Sequence, residues 1–161
     1  MRLENTGGML SRSDAAAFAQ RLREAGKQVV FTNGVFDLIH PGHVRYLQEA
    51  RSLGDALIVG VNADESVRRN KGEGRPVTPE GERAELIAAL ACVDAVTVFE
   101  EDTPADVIRA IQPDVLVKGA DWAADQIVGR ETVEARGGRV VRIAVEQGFS
   151  TTALLRKIRA R

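Results

Sequence analysis

The chain predicts a single α/β domain, doubly wound on a five-stranded, mainly parallel sheet. Apolar strand-like runs alternate with helical patterns along most of the length, which is the mark of a parallel sheet covered by helices. Four of the five runs are nearly continuous in Val, Ile, Leu or Phe, as strands buried on both faces must be. At 161 residues, 44% apolar and 28% charged, the chain is long enough for one independent core and has the composition of a globular domain.

The strand runs are Gln28–Thr32, Ala56–Val61, Ala95–Phe99, Val115–Lys118 and Arg139–Ile143. A first helix begins at Ser11 or Ser13 and stops at Gly26. Val44–Leu53 is amphipathic and reads as the helix after the first strand. Thr78-Pro79 and Thr103-Pro104 each set a capping hydroxyl before a proline at the first helical position. Asp106 adds a capping-box-like carboxylate to the second of these, and Pro113 ends that helix after Gln112. A further helix runs from about Val128 to Ala135 and closes at Gly137-Gly138. Thr151–Arg159 forms a basic terminal helix. Residues 1–26 read as an N-terminal helical extension to a main domain at 27–161. The segment Arg69–Val77 has no apolar period but two glycines, a proline and cations, so a mobile loop is expected there.

Bulk properties exclude several classes. A net charge of −1 provides no general attraction for nucleic acid or anionic membranes, so anion binding must be local. No apolar run approaches a membrane span, and no secretory leader is legible. Cys92 has no second cysteine to pair with, as suits a reducing cytoplasm, and reads as a buried thiol in the apolar helical run Leu86–Val93.

The chemistry concentrates in Gly34-Val35-Phe36-Asp37-Leu38-Ile39-His40-Pro41-Gly42-His43, which holds both histidines of the chain. It follows a buried strand and enters a helix. With Pro41 at the first helical position, His40 is the N-cap and His43 shares the first turn. Gly42 lets an anion approach the backbone, and the helix N-terminus attracts it. Three readings compete: structural histidines, a transition-metal site needing a third protein ligand, and stabilisation of charge developing on a phosphoryl group. The first two are disfavoured by two imidazoles in one turn and by the lack of a further His or a second Cys. No protein metal site is expected. Asp37 stands close enough to orient a ligand hydroxyl, an amine or a magnesium-bound phosphate.

The Gly34-x-Phe36-Asp37-x-x-His40-x-Gly42-His43 string resembles the signature of the nucleotidyltransferase superfamily of cytidylyltransferases and small adenylyltransferases, whose fold is Rossmann-like. Gly148-Phe149-Ser150-Thr151-Thr152 is similar to its second element. Longer strings around Asn33-Gly34, Asn62, Lys71–Pro76, Phe99–Pro104 and Lys118-Gly119-Ala120-Asp121-Trp122 resemble the heptose 1-phosphate adenylyltransferases over roughly residues 27–160.

That resemblance implies transfer of AMP from ATP to D-glycero-β-D-manno-heptose 1-phosphate, giving ADP-heptose and pyrophosphate for lipopolysaccharide or other surface glycans. His40, His43 and Lys71 would be catalytic. Asn33, Gly34, Phe36, Asp37, His40, Gly42, His43, Lys118, Gly119, Ser150, Thr151 and Thr152 would bind the nucleotide. Asn62, Lys71, Arg75, Asp121 and Trp122 would bind the acceptor. Mg2+ would arrive held mainly through the ATP phosphates. The resemblance further implies a cytoplasmic enzyme supplied by a separate sugar kinase, assembled as a homodimer or tetramer and binding neither nucleic acid nor membrane. Arg68 and Arg69 read as surface residues. Arg83 has two readings, a phosphate contact or a partner for a neighbouring acid. Another phosphorylated acceptor such as glycerol 3-phosphate and a non-catalytic nucleotide-binding module are the alternatives.

Overall fold

The computed structural model describes residues 8–161. Its elements in chain order are α1 (Arg12–Glu24), β1 (Val29–Gly34), α2 (Pro41–Arg51), β2 (Ala56–Asn62), α3 (Asp64–Lys71), α4 (Glu80–Ala88), β3 (Ala95–Phe99), α5 (Ala105–Ile111), β4 (Val115–Gly119), α6 (Arg130–Glu134), β5 (Arg139–Ile143) and α7 (Thr151–Arg159), with a 3₁₀ turn at Ala124–Gln126. The five strands form one sheet in the order β3-β2-β1-β4-β5. Every strand pair is parallel, so the expected sheet is present with five strands, and it is wholly rather than mainly parallel.

Alternate side chains of each strand enter different cores, because successive Cβ atoms point to opposite faces. Val29 and Phe31 join Ile58, Leu116 and residues of α1, α5 and α6. Val30 joins Leu57, Val59, Val117 and residues of α2 and α4 on the other side. The doubly wound reading is therefore correct. α1 lies within this arrangement: Ala15 and Ala19 are fully buried, and the backbone just before it bonds to β3 through Leu10 N–H to Val96 O.

Three aspartates set the starts of the strands. Asp55, Asp94 and Asp114 each precede a strand and accept the backbone N–H of Gln28, Leu57 and Val29 on or beside the neighbouring strand, at 2.7–2.8 Å. Those N–H groups would otherwise end the ladder without partners.

Several local expectations are corrected. Pro79 and Pro104 are N-caps, one position before the first helical residue, and neither caps with its own side chain, while Thr103 Oγ1 accepts the first helical N–H of α5, from Ala105, at 3.5 Å. Pro79 is extended at ψ 151°, because the preceding Thr78 N–H is held by Asp37 and the chain turns one residue later. The helix expected from Val128 begins at Arg130, since Gly129 has φ 91° and cannot be its first turn. Arg69–Lys71 are not loop but the last turn of α3, which ends at Gly72 with φ 87°. Cys92 lies beyond α4, half-buried against the second core, and burial pushes its thiol up.

Strand order places the change of winding direction between β1 and β4. Ligands of open α/β sheets bind beyond the carboxyl ends of the strands at that position. The ends of β1 and β4 are Asn33-Gly34 and Lys118-Gly119.

Candidate active site

The turn after β1 is built around a buried carboxylate. Asp37 is 2% exposed and accepts from Arg75 Nε (2.9 Å), Val77 N–H (2.9 Å) and Thr78 N–H (2.9 Å). Burial alone would raise this carboxyl, but the Thr78 and Val77 N–H groups and the Arg75 guanidinium outweigh it and hold the group below its ordinary range. Asp37 and Arg75 are thus engaged with each other, tying the segment after α3 to the histidine turn. Phe36, at φ 51°, lays its ring against Gly34, where a Cβ would come within 3.0 Å of it. The same ring meets His43 edge-on with centroids 5.4 Å apart.

His40 is the N-cap of α2 and Pro41 its first residue, as expected. The two imidazoles form a reciprocal capping box: His43 N–H donates to His40 Nδ1 (3.4 Å), and His40 N–H donates to His43 Nδ1 (3.3 Å). The rings stack at 3.7 Å. A nitrogen that accepts carries no proton, so each neutral ring holds its hydrogen on Nε2. Burial lowers His40 from its ordinary value. Burial, followed by the charge of His40, lowers His43 to about 4. Near neutral pH both side chains are uncharged donors with fixed tautomers.

Stability follows from the same shift. An unfolded histidine binds its proton near pH 6.5, whereas folded His43 resists it down to about 4. Between those values the unfolded chain holds more protons, so stability falls as pH drops through that window and is level above it. Thermal unfolding from pH 8 to pH 4 should show this fall, and His43→Gln should flatten it.

The second motif meets the first at α7. Ser150 is its N-cap, and Ser150 Oγ accepts Ala153 N–H at 2.9 Å. The Phe149 ring lies parallel to His40 at 6.0 Å, and a Cβ on Gly42 would stand 3.0 Å from Phe149 Cβ and from the His40 ring. Gly42 therefore permits two helix N-termini, those of α2 and α7, to approach side by side. Orphan N–H groups and dipoles of both helices face one region.

That region is a cleft of about 760 Å³. Its lining includes Asn33, Gly34, Phe36, His40, Gly42, His43, Lys71, Lys118, Gly119, Asp121, Trp122, Ser150, Thr151 and Thr152, all named from the sequence. Asp37, Asn62 and Arg75 do not line it. Asn62 is buried and donates to Ser66 Oγ at 3.2 Å. Lys118 is lowered to about 8 by burial, against the opposing pull of Asp121, and its Nζ stands 5.6 Å from the Trp122 ring centroid.

Arg83 takes the acid-pairing reading. It is fully buried and donates to Thr78 O, Val35 O, Asn62 O and Asp64 Oδ1 at 2.7–2.8 Å. Arg69 binds Asp102 and Glu100 O at the surface, away from this cleft.

Tyr46, Arg45, Glu49 and Glu146 also line the cleft, although no motif in the sequence points to them. Tyr46 stands three residues after His43, one helical turn on and on the same face, a spacing that could have exposed it. Arg45 pairs with Glu146 at 2.7 Å and lies over the Phe149 ring, a contact between segments a hundred residues apart that no local pattern encodes.

A parallel sheet whose switch point opens on two helix N-termini and a neutral histidine pair is a nucleotide-binding architecture in form. The chain belongs to the cytidylyltransferase-like family, whose model matches residues 31–157. It is 58% identical to the bifunctional protein HldE of Citrifermentans bemidjiense over 138 residues, 86% of this chain and 28% of that protein. Against the bifunctional protein HldE of Acidiphilium cryptum it is 53% identical over 152 residues, 94% of this chain and 31% of that one. The chain thus spans less than a third of the length of these relatives. A lipopolysaccharide core biosynthesis protein from Thermoplasma volcanium, known from a crystal structure, superposes with a TM-score of 0.62 at 32% identity, over 75% of this chain and 98% of that one. No helix among the described residues is long and apolar enough to cross a membrane.

Proposed function

We propose that the chain is an adenylyltransferase that moves AMP from ATP to D-glycero-β-D-manno-heptose 1-phosphate, releasing pyrophosphate and ADP-heptose for surface-glycan synthesis. The observation that carries this is the convergence of two Nε2–H donors and two helix N-termini on one cleft at the sheet's switch point. Similarity to the HldE proteins and to a lipopolysaccharide core biosynthesis protein supports the acceptor class.

A sugar phosphate is already an anion, so its oxygen can attack the α-phosphorus without a general base. The bond to the bridging oxygen breaks as the new one forms, and pyrophosphate leaves with the charge. What the protein must supply is placement and donors for that charge. Neutral imidazoles whose Nδ1 atoms are occupied suit this task, because only Nε2–H remains and it donates. We assign His40 and His43 to the phosphoryl oxygens in flight. Ser150, Thr151, Thr152 and the N-terminus of α7 hold the β- and γ-phosphates. Lys71, at the end of α3, approaches the reacting phosphates and the acceptor, and Lys118 adds charge at the end of β4. Asn33, Gly34, Phe36, Gly42 and Gly119 shape the nucleotide's bed. Asp121 and Trp122 face the acceptor, while Asp37, Arg75 and Asn62 act from behind by holding the walls.

No three His, Cys, Asp or Glu side chains stand together as a metal cage among the described residues. Mg2+ would arrive held mainly by the triphosphate's own oxygens, which match its preference for hard ligands. Bound there, the ion would neutralise phosphate charge. A sugar kinase must furnish the anomeric phosphate, ATP places the reaction in the cytoplasm, and a homodimer or tetramer is the expected assembly.

The deciding experiment measures pyrophosphate release across several nucleotides and phosphorylated acceptors, including glycerol 3-phosphate. Preference for ATP with heptose 1-phosphate is expected, and preference for another pair would replace the assignment. A second outcome is tied to Lys118. With its ammonium lost as pH rises through about 8, kcat/KM for ATP should fall on the alkaline side, and Lys118→Arg should move that fall upward, since a guanidinium stays charged.

A further inference from the structure

Tyr46 has no part in the reaction as assigned, yet its hydroxyl has a fixed polarity. Thr32 Oγ1 bonds to Val117 O at 2.9 Å and to Tyr46 Oη at 2.8 Å. A carbonyl only accepts, and a threonine hydroxyl has one hydrogen, so Thr32 donates to Val117. Tyr46 must then donate to Thr32. Its proton is directed inward across the β1–β4 switch point, and Oη keeps only lone pairs for the cleft that Tyr46 lines. Burial pushes Tyr46 up to about 12, so the donated proton stays in place at working pH.

The surroundings have the same sense. Glu49 and Asp121 line the cleft with Tyr46, and ionised carboxylates only accept. Asn33, next to Thr32 on β1, has its buried Oδ1 without a hydrogen-bond partner. These acceptors contrast with the donors at the starts of α2 and α7. An anion has nothing to gain from them, whereas a hydroxyl does.

We propose that Tyr46 Oη accepts a hydrogen bond from a substrate hydroxyl, making Tyr46 a specificity-determining residue for the polyol part of a ligand. The inference rests on the adenylyltransferase reading in one respect: both substrates then carry such hydroxyls, on the ribose of ATP and on the heptose ring. The chemistry is the same for the two, and the test separates them.

Tyr46→Phe keeps the ring and its packing but deletes the bond donated to Thr32, so the thermal midpoint should drop slightly while the domain stays fully folded at assay temperature. Binding is measured by calorimetry, and turnover by pyrophosphate release, for ATP, its 2′- and 3′-deoxyfluoro analogues, heptose 1-phosphate and its monodeoxyfluoro analogues. Fluorine cannot donate. Tyr46→Phe should weaken one substrate about fivefold, the size of one neutral hydrogen bond, with kcat unchanged. One fluoro analogue of that substrate should lose the same factor with wild type and nothing more with Tyr46→Phe. An ATP analogue behaving so places the ribose at Tyr46, and a sugar analogue places the acceptor there. Unaltered binding by Tyr46→Phe, or losses that multiply when variant and analogue are combined, would overturn the inference. If wild type turns over a different phosphorylated polyol, the heptose assignment fails, while the ATP analogues and fluoro analogues of that polyol still decide the role of the tyrosine.

Discussion

His43→Ala is expected to lower kcat by roughly 10²- to 10³-fold, the cost of removing one oriented donor from developing phosphoryl charge. The substitution removes two things at once. One is the Nε2–H donor. The other is the Nδ1 acceptor that receives His40 N–H, half of the capping box at the start of α2. Loss of a cap costs about 1 kcal/mol of stability, too little to unfold a domain whose α2 also buries Leu47 and Ala50. His43→Gln separates the two effects, because glutamine at the third helical position can complete a capping box. It should restore thermal stability without restoring turnover. Steady-state pyrophosphate release and thermal unfolding on both variants check this. Wild-type-like kcat in His43→Ala would take the histidine out of the chemistry.

The lowered affinity of His43 for protons gives that result its meaning. A general base would need a pKa near the working pH, and His43 is lowered to about 4. Its Nδ1 is already an acceptor within the turn. What remains is donation from Nε2, so the activity should show no limb near pH 6.5 from this pair.

What was legible in the sequence was whatever rests on periodicity or on a short local string. β1 to β5 were marked by apolar runs, and the His40 cap and Pro41 start followed from residue order alone. α3 was not legible because Ser66 and Val67 are its only buried residues, which leaves no apolar stripe to count. The segment after it looked free for the same reason: its cations show in the sequence, but the carboxylate that holds Arg75 lies 38 positions earlier in another turn. Asp37 read as a ligand group because aspartate beside a phosphate motif usually faces outward. Its burial is a tertiary fact that only the folded chain displays. Tyr46 was within reach of helical spacing from His43, whereas its proton direction depends on Val117, 85 residues from Thr32.

Arg83 is the clearest case of a side chain whose role is purely tertiary, and Arg83→Met should destabilise the domain by about 3–5 kcal/mol, the cost of breaking a buried ion pair. The guanidinium joins four separate segments: Thr78 O before α4, Val35 O in the turn after β1, Asn62 O at the end of β2, and Asp64 at the start of α3. Methionine fills similar space but donates nothing, which leaves three carbonyls without this donor and the Asp64 carboxylate without its cation. Arg83→Lys should recover little, because a compact ammonium cannot fork toward acceptors in four directions. The change should reach catalysis too. Val35 lies five residues before His40, and Thr78 is held to Asp37 in the same turn. Loosening Arg83 releases both sides of the frame that orients the histidine pair. Urea unfolding should therefore show a lower midpoint at unchanged slope, and kcat should fall under conditions where the variant is still fully folded. A loss of stability below 1 kcal/mol would mean that the four segments hold their arrangement without the guanidinium.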